Sequence, residues 1–166
     1  MDFLELVNKR YSERYFDKTP IEQEKIDKIL EAGRLVPTAC NYQPQKLYIL
    51  KTKKALELAA NVTPYTYNSP LIILVCYDKN EVWKNKREEG YNSGEQDIAI
   101  AATTMMYEAE SLGIHSLWIR GFNSKITEEK IKSAYEQMIE IPNNYQTYFF
   151  TYFKIKDLQM KVKELA

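Results

Sequence analysis

The sequence predicts a single α+β domain in which helices surround a mixed sheet. Three observations support this class: the chain has 166 residues, 45% of them are hydrophobic, and strand-like apolar runs alternate irregularly with helical patterns. A chain of this length and apolar content can bury a core of its own. Because neither a repeat nor a linker interrupts the pattern, we expect residues 1–166 to form one domain.

Charge, cysteine content and hydropathy argue against several classes of function. The 23 basic and 23 acidic residues cancel, which disfavours nucleic acid or an anionic membrane as a partner. Cys40 and Cys76 lack the spacing of metal ligands, so we expect no metal site. The longest apolar run, residues 71–76, is too short to span a membrane, and residues 1–10 lack the pattern of a signal peptide. We therefore expect a soluble, cytoplasmic protein.

Apolar periodicity and capping residues predict the order of helices and strands. Residues 2–9 have the periodicity of a short helix, and residues 21–34 have that of a longer one. Thr19 and Pro20 are the expected N-cap and first helical residue of the longer helix. Further elements are predicted as strands at 46–51, 71–77, 114–119 and 145–153 and as helices at 53–60, 95–112, 127–138 and 157–166.

The first two strands, 46–51 and 71–77, are predicted to be internal in the sheet because both are predominantly apolar. Residues 78–94 then become charged and aperiodic, with aromatic residues embedded in them. Surface segments of this length often serve as lids or binding loops. We expect a mobile excursion from the sheet, and a short solvated helix is the alternative.

The helix at 95–112, which ends before Gly113, predicts a homodimer. The apolar residues at 98–102, 105 and 106 leave almost no polar face in its first half, and a helix that is apolar all round must be buried on all sides. Either one subunit encloses it, or it packs against the same helix of a second copy. Ala99, Ala101 and Ala102 would allow two backbones to approach closely, which favours the second arrangement.

Common catalytic signatures are absent from the chain. The glycine-rich nucleotide loops and the zinc-protease and esterase motifs do not occur. His115 is the single histidine and lies in a predicted strand, where we expect an ordinary half-buried residue rather than a catalytic base. Any Ser-His-Asp mechanism would have to use this side chain. Chemistry carried by a cofactor is therefore favoured.

A basic turn after the first helix predicts a phosphate site. Arg10, Ser12 and Arg14 occupy alternate positions, so their side chains point the same way in an extended segment. Two guanidinium groups and a hydroxyl match the oxygen atoms of a phosphate monoester. The alternative is that these cations only offset the dipole of the preceding helix.

Two segments together resemble the FMN-dependent nitroreductase family. Residues 10–16, RYSERYF, match the family pattern R-x-S-x-[RK]-x-[FY] after the first helix. Residues 37–44, PTACNYQP, match the loop P-[ST]-x-x-N-x-Q-P after the second. The resemblance implies a nitroreductase-like α+β fold, with a mixed, mostly antiparallel sheet flanked by helices in an intertwined homodimer. A third family pattern, a small-residue helix that leads into a strand, is similar to Asp97, Ala101, Leu112, Gly113 and Trp118.

The resemblance also implies which residues bind FMN at the dimer interface. Arg10, Tyr11, Ser12 and Arg14 would hold the phosphate, the ribityl chain or the pyrimidine edge. The opposite subunit would contribute the loop residues Pro37, Thr38, Ala39 and Asn41.

Further residues complete the implied site. The turn that contains Arg120 and Gly121 would direct a backbone N–H to flavin N5, and Lys154 or Lys156 would replace a basic residue near the family's C-terminus. No side chain is expected to be catalytic, because flavin N5 carries the hydride. The substrate pocket would draw on the aromatic residues Phe122, Tyr65, Tyr67, Trp83 and Tyr91.

The activity implied by the resemblance is hydride transfer. NADH or NADPH would reduce bound FMN and leave, and a small acceptor such as a nitroaromatic or a quinone would then be reduced by a ping-pong mechanism. Dehalogenation and flavin fragmentation remain open within the same class. Two alternatives lie outside it: an FMN-binding storage or sensor protein without turnover, and a purely structural dimerisation domain.

Overall fold

A computed structural model describes residues 1–19 and 21–123 in full and the backbone of residues 145–152. The helices are α1 (Phe3–Lys9), α2 (Gln23–Arg34), α3 (Lys53–Ala60) and α4 (Gly94–Ser111). The strands are β1 (Gln45–Leu50), β2 (Ile72–Asp78), β3 (Leu117–Ile119) and β4 (Tyr145–Tyr152). No helix among these residues is long and apolar enough to cross a membrane. Several predictions fall outside the described residues. These are the helices at 127–138 and 157–166, the helix start at Pro20 and the cofactor contacts of Lys154 and Lys156.

The four described strands form one sheet in the order β1-β2-β4-β3. Every ladder in it is antiparallel, so the expected α+β class is confirmed, whereas the described strands do not form a mixed sheet. β2 is internal as predicted, but β1 lies at an edge of the described sheet. The burial of the strands agrees with these positions: all seven residues of β2 are buried, whereas four of the six in β1 are only partly buried.

Alternate side chains of β2 enter two separate cores. On one face, Ile73 and Val75 pack with α2 and α4. On the other face, Ile72 and Leu74 belong to a second cluster, which α3 covers through Ala59. Because successive strand residues point to opposite faces, a strand covered on both sides is a continuous apolar run.

Helix α1 is well capped but lies on the surface. Asp2 accepts a hydrogen bond from Glu5 N at 2.9 Å, and the Glu5 carboxylate accepts one from Asp2 N at 3.0 Å, which forms a capping box. No residue of α1 is buried, and the side chains of Phe3 and Leu4 are 66% and 74% exposed. The subunit therefore leaves an apolar helix face uncovered.

The predicted start of α2 is wrong. The helix begins at Gln23 after Glu22, and Glu22 makes no side-chain capping bond. Thr19 does not serve as the cap, because the helix begins four residues later; the Thr19 N–H donates to Asp17 Oδ1 at 2.6 Å in a local turn.

The segment at 78–94 forms a hydrogen-bonded loop, so the alternative of a short helix is wrong. Lys84 and Asn92 form an isolated antiparallel bridge, and Ser93 N donates to Trp83 O at 3.0 Å. Val82 is buried in the core and anchors the start of the loop.

Helix α4 is confirmed, with bounds one residue earlier than expected. Gly113 has φ of 75°, and Ile114 N donates to Ala109 O at 2.8 Å, which is the Schellman ending that glycine favours. The prediction for the small residues is wrong in part, because Ala101 and Ala102 are fully buried within their own subunit. Ile100 is 40% exposed, so one subunit does not enclose the helix completely.

Candidate functional site

The basic turn at residues 10–14 is docked against the start of β3. Ser12 forms an isolated parallel bridge with Ser116, and Glu13 N donates to Ser116 O at 3.1 Å. Arg14 Nη1 donates to Ser12 O at 3.2 Å, so the second arginine folds back onto the turn. The guanidinium group of Arg10 has no hydrogen bond or ion pair with a described residue. The turn therefore offers a half-buried arginine and, two residues later, a half-buried serine.

Glu13 organises this turn, and the sequence analysis did not select it. One carboxylate oxygen accepts hydrogen bonds from Arg14 N at 2.7 Å and Tyr15 N at 2.8 Å. The other accepts one from Tyr11 Oη at 2.6 Å. The hydrogen bond from Tyr11 lowers the pKa of Glu13 and raises the pKa of Tyr11. Periodicity carries no signal for such a residue, because its role depends on the fold of the turn.

His115 lies in the connection before β3 rather than inside the strand. It is half-buried, as expected, and its Nδ1 lies 3.0 Å from Glu110 Oε2. Its ring packs against that of Tyr11 with the centroids 4.9 Å apart and the planes inclined at 45°. The histidine therefore stands between a buried carboxylate and the basic turn.

The loop at 37–44 is fixed by Asp97 in the first turn of α4. Asp97 is 2% exposed, and its two oxygens accept hydrogen bonds from Ala39 N at 2.9 Å and Ser93 Oγ at 2.6 Å. Thr38 Oγ1 accepts a further bond from Gln43 N at 2.9 Å. Asn41 has φ of 56°, a left-handed conformation that asparagine tolerates. These hydrogen bonds give the polar loop a defined conformation.

The turn after β3 packs against the segment that follows α3. Thr63 Oγ1 donates to Gly121 O at 2.8 Å, and Phe122 N donates to Arg120 O at 2.9 Å. A Cβ on Gly121 would lie 2.5 Å from Cε2 of Tyr65, so any larger residue here would displace this ring. Gly121 N–H has no hydrogen-bond partner among the described residues, whereas that of Phe122 is used within the turn.

The five predicted pocket residues fall into two groups. Tyr65 lies against Gly121, and Tyr67 and Phe122 are partly buried against the core on the α3 side of the sheet. Trp83 and Tyr91 instead belong to the loop at 78–94, where Tyr91 Oη accepts a hydrogen bond from Gln96 Nε2 at 2.8 Å. The second group therefore lies beside the first turn of α4.

The two predicted halves of the site lie at opposite ends of α4. The basic turn is near Glu110, through Lys9 and His115, whereas the loop at 37–44 is near Asp97. At 1.5 Å per residue, Asp97 and Glu110 are separated by about 20 Å along the helix. One chain alone does not bring the two segments together.

Comparison with known families identifies this arrangement. The model of the nitroreductase family matches residues 7–65 and 63–153. The chain belongs to the nitroreductase family. Similar proteins agree: a solved nitroreductase family protein from Clostridium difficile 630 has 31% sequence identity and a TM-score of 0.84, over 96% of this chain and 87% of that one. The nitroreductase fold is thus the observed fold of helices around a small antiparallel sheet.

Two curated relatives of this nitroreductase family member carry names that describe an activity. One, from Methanothermobacter thermautotrophicus, is 31% identical over 121 residues and has the provisional name NADH dehydrogenase/NAD(P)H nitroreductase. The other, FMN reductase [NAD(P)H] from Bacillus subtilis, is 30% identical over 125 residues. The matches cover 71% and 66% of this chain but only 60% and 49% of the relatives. The matches therefore span about half to three fifths of the length of these relatives.

Proposed function

We propose that this nitroreductase family member is an FMN-dependent oxidoreductase, a single domain of residues 1–166 that acts as a cytoplasmic homodimer. In this proposal NADH or NADPH donates a hydride through bound FMN to a small acceptor, such as a nitroaromatic or a quinone, by a ping-pong mechanism. The observation that carries the proposal is the docked turn at 10–14, which offers an arginine and a serine within the residues that the nitroreductase family model matches. The names of the two curated relatives support the reductant and the cofactor.

The chemistry of the turn fits a phosphate. Arg10 is a half-buried cation without a described partner, and Ser12 lies beside it in extended backbone. Ser116 Oγ, which belongs to the residue paired with Ser12, is buried and has no hydrogen-bond partner among the described residues. A buried hydroxyl without a partner costs about 1–3 kcal/mol, and a bound oxyanion would relieve that cost. Arg10, Ser12 and Arg14 would hold the phosphate, and Tyr11 shapes the turn.

A homodimer explains why the two halves of the site are separated within one chain. A two-fold axis can bring the basic turn of one subunit next to the loop at 37–44 of the other. Pro37, Thr38, Ala39 and Asn41 would then contact the flavin from the second subunit. The exposed side chains of Phe3, Leu4 and Ile100 supply apolar surface for such an interface.

The residues around Gly121 are suited to orienting the reacting ring. Bound FMN would supply hydride acceptance and donation at N5. Gly121 N–H has no described partner and is the donor of this turn best suited to face N5, and Arg120 would stand beside it. Thr63 holds the turn by its hydrogen bond to Gly121 O, which limits the movement of that donor. The chain need not supply a catalytic acid of its own.

The substrate slot would draw its walls from both subunits. Tyr65, Tyr67 and Phe122 adjoin the Gly121 turn of one subunit. Trp83 and Tyr91 adjoin the loop side of the other. A single slot over one face of the ring must be used in turn by the reductant and the acceptor, which is the physical basis for ping-pong kinetics.

The proposal is tested by the colour of the purified protein and by the change in that colour when NADH or NADPH is added. Wild type is expected to bind FMN and to lose its yellow colour when NADH or NADPH is added without oxygen. The Arg10→Ala variant is expected to lose FMN, while Arg34→Ala, which removes an arginine paired with Glu31 on α2, is expected to retain it. Bound flavin that neither nucleotide reduces would contradict turnover and support storage or sensing. Protein that does not take up FMN would contradict the proposal as a whole.

A further inference from the structure

Glu110 is a buried carboxylate that has no role in the proposed hydride transfer. It lies in the last turn of α4 and is 1% exposed. Its Oε2 lies 3.0 Å from His115 Nδ1, and its Oε1 lies 3.6 Å from Lys9 Nζ. Oε1 has no hydrogen bond within the described part of the chain. An ionised group so far from water is costly unless its partners repay the loss of hydration.

Both partners of Glu110 flank the basic turn. Lys9 is the last residue of α1 and directly precedes Arg10, so its ion pair fixes the entry to the turn. His115 directly precedes Ser116, the residue that pairs with Ser12 on the other side. One carboxylate therefore ties together the two backbone segments between which the turn is held.

A second set of contacts leads from His115 to the backbone of the turn. The imidazole packs against the ring of Tyr11, whose hydroxyl donates to Glu13 at 2.6 Å. Glu13 in turn holds the N–H groups of Arg14 and Tyr15. The charge of Glu110 also contributes to the raised pKa of Tyr11, after the larger effects of the Glu13 hydrogen bond, of burial and of the Glu13 charge.

We propose that Glu110 is a positioning residue for the cofactor phosphate, which sets the geometry of Arg10, Ser12 and Arg14 through Lys9 and His115. The inference rests on the proposed function, because it concerns the affinity of the turn for FMN. A positioning role and a direct electrostatic role predict opposite changes in FMN affinity when the charge of Glu110 is removed. A nearby negative charge repels a phosphate, so removing that charge without moving the turn would strengthen FMN binding. A positioning role requires the opposite result.

The experiment compares FMN with riboflavin, which has the same ring but no phosphate. Affinities are measured by titrating apoprotein and following the quenching of flavin fluorescence. Glu110→Gln is expected to weaken FMN binding about tenfold, the scale on which outer-shell partners tune a site. Riboflavin binding is expected to change less than about twofold, so the ratio of the FMN affinity to the riboflavin affinity falls about five- to tenfold, or ~1.0–1.4 kcal/mol.

Matched variants separate positioning from loss of stability. Glu110→Met replaces the buried charge by an apolar side chain of similar volume, and water can solvate its former partners because Lys9 and His115 are 52% and 38% exposed. It should lower the affinity ratio in the same way while the thermal midpoint stays near wild type. Glu24→Gln removes a carboxylate from an exposed pair with Lys28 on α2 and should leave the ratio unchanged.

The outcomes distinguish this inference from the proposed function. Wild-type protein that binds neither flavin would overturn the FMN site itself. If wild type prefers FMN over riboflavin and both Glu110 variants keep that preference, the site stands and the positioning role is wrong. A stronger preference for FMN in Glu110→Gln would show that its charge acts directly and would equally overturn positioning. Equal weakening of both flavins would assign Glu110 to general stability, which also contradicts the inference.

Discussion

The loop at 37–44 should depend on Asp97 for its conformation. Asp97→Ala removes the acceptor of two hydrogen bonds, from Ala39 N at 2.9 Å and from Ser93 Oγ at 2.6 Å. Both acceptor oxygens belong to a side chain that is 2% exposed, so water does not readily replace them. The variant is expected to lose stability and to loosen the loop that would contact the flavin of the second subunit.

The expected loss can be worked out from these contacts. Ser93 is buried, and leaving its hydroxyl without a partner costs ~1–3 kcal/mol. Ala39 N–H is half-buried and regains water more easily, so its bond contributes ~0.5–1.5 kcal/mol. A carboxylate in the first turn of a helix adds ~0.3–1 kcal/mol by interaction with the helix dipole. We expect Asp97→Ala to lower the free energy of unfolding by roughly 2–5 kcal/mol.

Urea unfolding at a fixed protein concentration measures this loss, with the concentration held constant because a dimer is stabilised by mass action. Asp97→Asn is the matched variant, since an amide can accept from Ala39 N and donate to Ser93 Oγ. It should lose less than half as much as Asp97→Ala. A free energy of unfolding within about 0.5 kcal/mol of wild type for Asp97→Ala would refute the reasoning, because surface substitutions have effects of that size. An asparagine variant as unstable as the alanine variant would refute the hydrogen-bond account.

Three further predictions follow from the same geometry. Ile100→Glu places a charge on the exposed stripe of α4 and should convert a dimer to monomers, which light scattering after size exclusion would detect; an unchanged dimer mass contradicts this interface. Gly121→Ala places a Cβ 2.5 Å from the Tyr65 ring, so it should slow the reduction of bound FMN by NADH or NADPH and change the thermal midpoint little. Stopped-flow absorbance and thermal unfolding measure these two effects. Because folding lowers the pKa of Glu13, the ionised carboxylate stabilises the turn at pH values above its ordinary pKa of 4.5. This stabilisation is lost as the pH falls through the lower folded-state pKa. Tyr11→Phe should therefore raise the pKa of Glu13 and release flavin at a higher pH during acid titration, and an identical release curve would contradict the link.

Much of the fold could be predicted from local pattern. The bounds of α3 agree with the prediction, and β2 is displaced by one residue, because both elements carry strong periodicity or a continuous apolar run. The edge position of β1 could not be predicted, because β1 and β2 are both apolar in sequence. Only the strand pairing shows that β1 has one neighbour in the described sheet. The start of α2 was mispredicted because a Thr-Pro pair is only a local signal, and the helix begins at Gln23 instead.

The candidate site was predictable in its segments but not in its contacts. The turn at 10–14 and the loop at 37–44 were selected by residue type and spacing, and both lie within the residues that the family model matches. Glu13 and Glu110 were missed, because a carboxylate that accepts hydrogen bonds from a turn or sits beneath it has no sequence period. The roles of the selected residues toward FMN stay predictions.

The central claim is that each flavin site is built from the basic turn of one chain and the polar loop of another. Mixing two defective variants tests it. Arg10→Ala damages every turn and Asn41→Ala damages every loop, so neither homodimer is expected to hold FMN. After the two are unfolded together and refolded in equal amounts, each mixed dimer contains one site in which both halves are intact.

The decisive measurement is therefore the flavin bound per subunit in the refolded mixture. A shared site predicts recovery of roughly a quarter of the wild-type occupancy, because half of the dimers are mixed and each of these has one intact site of two. A mixture that binds no more FMN than its two parents, although purification through a different affinity tag on each variant shows that mixed dimers formed, would contradict the claim.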